Sequence, residues 1–269
     1  MKSESLNSKS YSTDFAKTQK TVLITGGTGG IGEKIVFELA KSGISHVFFT
    51  FFKNEEKAKL LSKNISSKFK VHCQGLRCDV SNFADVKLVV DEIFSQTGRI
   101  DFLINNAGVI RNQFIIYMTD DDWDAVIDVN LKGCFNCIKA VGRKMMKSRQ
   151  GKIVNISSTA ALLGAFKEIN YAASKAGILG LTKTAALEFD QYGVKIFTLI
   201  PGMVETDMIT RLSETERKKI LQKIPMRRFC KPQEIASTVL FLISDNIRLK
   251  NGFQLSIDGG LSLDDESFL

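Results

Sequence analysis

The chain has 269 residues, 44% of them hydrophobic, and carries 37 Lys and Arg against 29 Asp and Glu, a formal net charge of +8. That length and apolar content suffice for one large core, with no internal repeat to divide it. Every apolar run is too short to span a bilayer, five cysteines without framework spacing point to reduced thiols in a cytoplasmic setting, and the basic excess comes without the basic run, motif or aromatic platform of a nucleic-acid binder.

Residues 1–19 are rich in Ser, Lys and Thr and poor in aliphatics. They are expected to form a disordered tail, with a short organelle transit peptide as the other reading. Thr21-Val22-Leu23-Ile24-Thr25 then reads as a short strand running into Gly26-Gly27-Thr28-Gly29-Gly30-Ile31-Gly32 and a helical pattern through Leu39. A strand, a glycine turn and a helix N-terminus let backbone N–H groups approach a pyrophosphate, and the helix dipole favours its charge. The next strand, 46–51, ends without Asp or Glu before Glu55. An acid there would accept from a ribose 2′-OH and repel a 2′-phosphate. Thr50 and Lys53 stand in its place and favour NADP(H), with NAD(H) as the alternative.

Further strands are expected at 71–75 and 101–105, the first followed by Asp79 and Val80, the second by Asn106, Ala107 and Gly108. Asn130 interrupts an otherwise amphipathic helix, where it either opens a turn and holds a water or is a satisfied buried amide. Cys134-x-x-Cys137 on the same helix fits packing rather than redox chemistry, and Arg143, Lys144, Lys147 and Arg149 gather near its end. The buried-strand pattern at 152–157 ends in Ser157 and Ser158, of which Ser158 is the expected ligand contact. Tyr171 and Lys175 share one helix face, so a nearby ammonium is expected to favour the phenolate. Strands at 194–200 and 253–257 complete the alternation and predict an α/β fold, a doubly wound parallel sheet, seven-stranded, over residues 20–269. His46 and His72 are the only histidines and lie in no ligand-like cluster, so no metal is expected.

Taken together, Thr-Gly-x-x-x-Gly-x-Gly at 25–32, Asn105-Asn106-Ala107-Gly108, Asn130, Ser158 and Tyr171-x-x-x-Lys175 resemble the short-chain dehydrogenase/reductase family. The likeness runs from about residue 20 to 262, through Pro201-Gly202-Met203-Val204-Glu205-Thr206-Asp207-Met208 and Ile257-Asp258-Gly259-Gly260. Asn105 to Arg111, Met118 to Ile127 and Ile224 to Ala236 are similar to the 3-oxoacyl-[acyl-carrier-protein] and acetoacetyl-CoA reductases of fatty acid biosynthesis. Arg227 stands where those reductases usually have Gly, and Gly29 where they often have Arg.

The resemblance implies Tyr171 as general acid, held by Lys175 and the nicotinamide ribose. It also implies Ser158 on the substrate carbonyl and Asn130 anchoring a water that links Lys175 to solvent. Asp79 would face adenine, and the implied cofactor contacts extend to Val80, Asn106, Ala107, Gly108, Pro201, Gly202, Val204 and Thr206. A lid at about 204–228, with Met208, Ile209, Leu212, Ile220 and Leu221 at helical spacing, would cover an acyl thioester carried by an acidic acyl carrier protein or coenzyme A. A homotetramer is expected by the same analogy. Dehydrogenation of a small alcohol, sugar or steroid uses the same residues, and a non-catalytic dinucleotide sensor is the third reading.

Overall fold

Short runs of β-branched and aromatic residues set the sheet, since such side chains suit strands buried on both faces. A computed structural model describes residues 19–206, 209, 213–245 and 248–263. In chain order it holds β1 (Thr21–Ile24), α1 (Gly30–Lys41), β2 (His46–Phe51), α2 (Glu55–Phe69), β3 (His72–Arg77), α3 (Phe83–Thr97) and β4 (Phe102–Asn105). There follow α4 (Asp120–Ile127), α5 (Gly133–Ser148), β5 (Gly151–Ile156), α6 (Ala160–Leu163), α7 (Ile169–Phe189) and β6 (Val194–Pro201). The chain finishes with α8 (Glu214–Lys223), α9 (Pro232–Ile243) and β7 (Gln254–Ile257). All pairings are parallel, in the order β3-β2-β1-β4-β5-β6-β7.

This is the doubly wound single domain expected from the alternation of elements. The strand order reverses between β1 and β4, which opens a crevice beyond their carboxyl ends, where such sheets bind ligands. One core layer packs α1, α2 and α9 against the sheet around Ile35, Leu39, Phe49 and Val239. The opposite layer packs α3, α5 and α7 around Val90, Val141, Met145 and Phe189. Cys134 and Cys137 belong to this second layer, as packing residues. All five cysteines are free and buried, and burial pushes Cys73, Cys78, Cys134 and Cys230 up to about 12.

Between β6 and α9 the chain forms a small satellite cluster of Ile209, Ile224 and Phe229, with Met203, Ile220 and Leu221 against it. Of the apolar positions expected there, Met208 and Leu212 lie outside the described residues, as does the tail up to residue 18. Ser213 and Glu216 close a capping box at the start of α8, satisfying two N–H groups that the first turn would leave unpaired. Arg227, after α8, has φ +55°, the left-handed region that explains why glycine is usual there. Its guanidinium donates to the Gln222 carbonyl near the end of α8. Among the described residues, no helix is long and apolar enough to cross a membrane.

Candidate active site

The glycine turn is shaped by what it must avoid. Gly26 has φ +67°, and a Cβ there would stand 2.9 Å from the Ala107 Cα. At Gly32 a Cβ would collide with the Gly26 carbonyl and stand 2.8 Å from the Asn106 amide nitrogen, so β1, α1 and the segment after β4 close to backbone contact only with glycine present. Thr25 and Asn106 lock this junction. Thr25 Oγ1 accepts from the Asn106 and Ala107 N–H groups, both at 3.0 Å. Asn106 Nδ2 donates to the Thr25 and Gly26 carbonyls at 3.0 and 3.1 Å. Gly29, the N-cap of α1, and Gly30 are exposed, so the unpaired N–H groups of the first helical turn face outward. Such a cradle fits a dinucleotide pyrophosphate.

Beyond the cradle the expected residues spread along the strand ends. Thr28 and Ile31 are half-buried in the turn and first helical turn. The Thr206 side chain comes within 3.3 Å of where a Cβ of Gly30 would stand, which brings the segment after β6 onto the glycine turn. Pro201 ends β6, Gly202 donates to the Ile257 carbonyl at 2.9 Å, and Val204 is buried and bridges to Cys230. Val80 is buried against Gly133. Asp79 lies in the loop after β3, where its Oδ1 accepts from the Ser81 N–H and hydroxyl at 3.0 and 2.6 Å, while Asn82 caps α3.

Thr50 is placed differently from its expected role. It is 3% exposed and its Oγ1 accepts from the Gly26 N–H at 3.2 Å, so the hydroxyl holds the glycine turn rather than an outer phosphate. Lys53 is exposed beyond β2.

The second cluster surrounds Tyr171 and Lys175 on α7. Asn130 lies in a π-helical turn, Asp128–Lys132, between α4 and α5, which is the opened turn anticipated from its polar side chain. The side chain is also satisfied: Oδ1 accepts from Val109 N–H at 2.8 Å, and Nδ2 donates to the Val109 carbonyl at 3.0 Å and to Ser174 Oγ at 3.1 Å. Ser157 is buried and donates to the Lys175 carbonyl at 2.8 Å, leaving Ser158 as the half-exposed hydroxyl at the strand end. Lys175 is buried beside Gly108, and its Nζ donates to the Ile156 carbonyl at 2.9 Å.

The electrostatics depart from the expected acidified phenol. Burial pushes Tyr171 above its usual value, the Ser158 hydrogen bond opposes the shift and the Glu168 carboxylate adds to it. Burial lowers Lys175 to about 8, partly offset by Cys134. The ammonium lies 5.6 Å from the Tyr171 ring centroid and is directed at a carbonyl, so desolvation outweighs its pull on the phenol. A phenol held protonated at neutral pH is a proton donor, and an adjacent hydroxyl and a cation beside a dinucleotide cradle make a carbonyl-reducing arrangement.

The short chain dehydrogenase pattern matches residues 20–217. The chain belongs to the short-chain dehydrogenase family. Curated relatives include the 3-oxoacyl-[acyl-carrier-protein] reductase FabG of Staphylococcus aureus, 37% identical over 245 residues, covering 91% of this chain and 99% of the relative. The enzyme of the same name from Thermotoga maritima is 40% identical over 249 residues, covering 90% and 97%. That of Salmonella typhimurium is 37% identical over 242 residues, with the same two shares. As a short-chain dehydrogenase, the protein is an NAD(P)-dependent oxidoreductase.

Two positioning residues of this short-chain dehydrogenase were given no role from sequence. Thr25 entered only as the first residue of the glycine motif. Asn170 is fully buried, accepts from the Tyr171 N–H at 2.8 Å and donates to the Arg111 and Asp122 carbonyls at 3.2 and 3.0 Å. Its place before the tyrosine was the only cue.

Proposed function

We propose that the protein is an NADPH-dependent 3-oxoacyl thioester reductase, converting a carrier-bound or CoA-bound 3-oxoacyl group to the 3-hydroxyacyl thioester. The observation that carries the reading is the gathering of the Ser158 hydroxyl, the protonated Tyr171 phenol and the Lys175 ammonium beside a glycine cradle. That the three relatives are 3-oxoacyl-[acyl-carrier-protein] reductases supports the thioester as substrate. When bound, the nicotinamide supplies the hydride.

This chain's own groups do the rest. Ser158 donates to the substrate carbonyl oxygen, and Tyr171 delivers its proton to that oxygen as negative charge develops. A positioned proton donor contributes ~10²–10⁴-fold in rate, and an oxyanion hydrogen bond a further few kcal/mol, about 2.7–4 where one donor has been removed. Lys175 holds positive charge behind the phenol, and Asn130 fixes Ser174 and Val109, the latter next to the Gly108 that lies beside the Lys175 Nζ. The segment 204–228 would lid the substrate, and exposed Phe135 on α5 and Leu187 on α7 suit burial in a homotetramer. Consumption of NADPH with acetoacetyl-CoA tests the reading. Inactivity on thioesters with turnover of small alcohols or sugars would replace it.

A further inference from the structure

In a glycine-turn fold, the adenosine ribose lies beyond the end of the second strand, where an acid accepts from its 2′-OH or an arginine takes a 2′-phosphate. The groups that sequence offered for that phosphate are reduced by the structure. Thr50 is buried on the Gly26 N–H, and Gly29 brings no side chain, which leaves exposed Lys53 alone in the segment after β2.

A second cation arrives from the neighbouring strand. Arg77, the last residue of β3, lies opposite Phe51 in the parallel register and is exposed. Its guanidinium stands 5.8 Å over the ring of Phe52, a side chain 51% exposed directly after β2. The adjacent carboxylate, Glu55, is engaged with Lys59 at 2.9 Å. Among the described residues, neither Arg77 nor Lys53 makes an ion pair within 4 Å. Two cations outside any such ion pair, Arg77 with only a longer-range attraction to Glu55, and an aromatic ring therefore lie at the strand ends next to the glycine turn, to which β2 is tied by the Gly27 N–H on the Thr50 carbonyl at 2.9 Å.

The geometry points to Arg77, held over Phe52, as the residue that selects a 2′-phosphorylated dinucleotide in this chain, with Lys53 as the second charge. The inference rests on the NADPH reading above. A planar guanidinium grips two phosphate oxygens at once, where an ammonium acts as a point charge, and the cation–π contact with Phe52 at 5.8 Å keeps the Arg77 side chain at this strand end. Arg77 thus supplies the charge that an arginine at position 29 would bring.

Fluorescence titration of the full chain with NADPH and with NADH tests this, on the unaltered protein, Arg77→Met and the double variant Arg77→Met/Gly29→Arg. Position 29 accepts the arginine: its φ is −77° and a Cβ would meet only the Gly26 carbonyl, at 3.5 Å. The expected result is a preference for NADPH that falls about tenfold or more in Arg77→Met and largely returns in the double variant. A preference for NADPH that survives Arg77→Met unchanged overturns the inference while leaving the cofactor reading intact. No preference in the unaltered protein overturns both.

Discussion

Burial moves the two members of the Tyr171–Lys175 pair in opposite directions, the phenol up and the ammonium down to about 8, so both are protonated near pH 7. For Lys175 the charged form is disfavoured in the folded chain. The stability that this group contributes is present above its unfolded value of 10.5 and is lost as pH falls through about 8. For the proposed catalysis the sign is reversed, because the proposed reduction uses the cation. The kcat/KM for reduction is expected to decline as pH rises through about 8, and a flat profile from pH 7 to pH 9.5 would separate Lys175 from the reaction. That Tyr171 and Lys175 lie close together was legible from their helical spacing. The direction of the tyrosine shift was not, since helical spacing tells that Lys175 is near but not that its Nζ is turned to the Ile156 carbonyl.

At the level of elements, strands were read well where β-branched runs met glycines. The 71–75 strand runs instead from His72 to Arg77, so Arg77 ends a strand beside Phe51, a neighbour that no linear pattern reveals. The β1–α1 turn depends on Gly32, where a Cβ would meet the immovable backbone carbonyl of Gly26. Gly32→Ala is expected to cost about 1–3 kcal/mol and to abolish dinucleotide binding, as read by thermal unfolding and fluorescence titration. Unchanged binding would show that the turn relaxes. The end of α8 behaves oppositely, because Arg227 bears a left-handed backbone. Arg227→Gly is expected to stabilise by about 1 kcal/mol, raising Tm by ~2–4 °C, unless the lost bond to Gln222 offsets it. A lower Tm would mean that the cap outweighs the strain.

Across the whole molecule, the alternation of strand and helix was enough to anticipate a doubly wound sheet, because parallel strands need helical crossovers. Charge was less readable. Lys144, one of the basic residues gathered near the end of α5, pairs with Asp91 at 3.1 Å, and Arg228 grips Glu234 at 2.7 and 2.8 Å, so part of the apparent positive surface is internally neutralised. The central claim is that this fold assembles a thioester-reducing site on Tyr171. Its most direct test is the loss of reduced-nicotinamide absorbance with acetoacetyl-CoA, comparing NADPH with NADH and the unaltered protein with Tyr171→Phe. The account predicts turnover preferring NADPH and reduced at least ~100-fold by removal of the phenol hydroxyl. Turnover undiminished in Tyr171→Phe, or none by the folded, NADPH-binding protein, would contradict it.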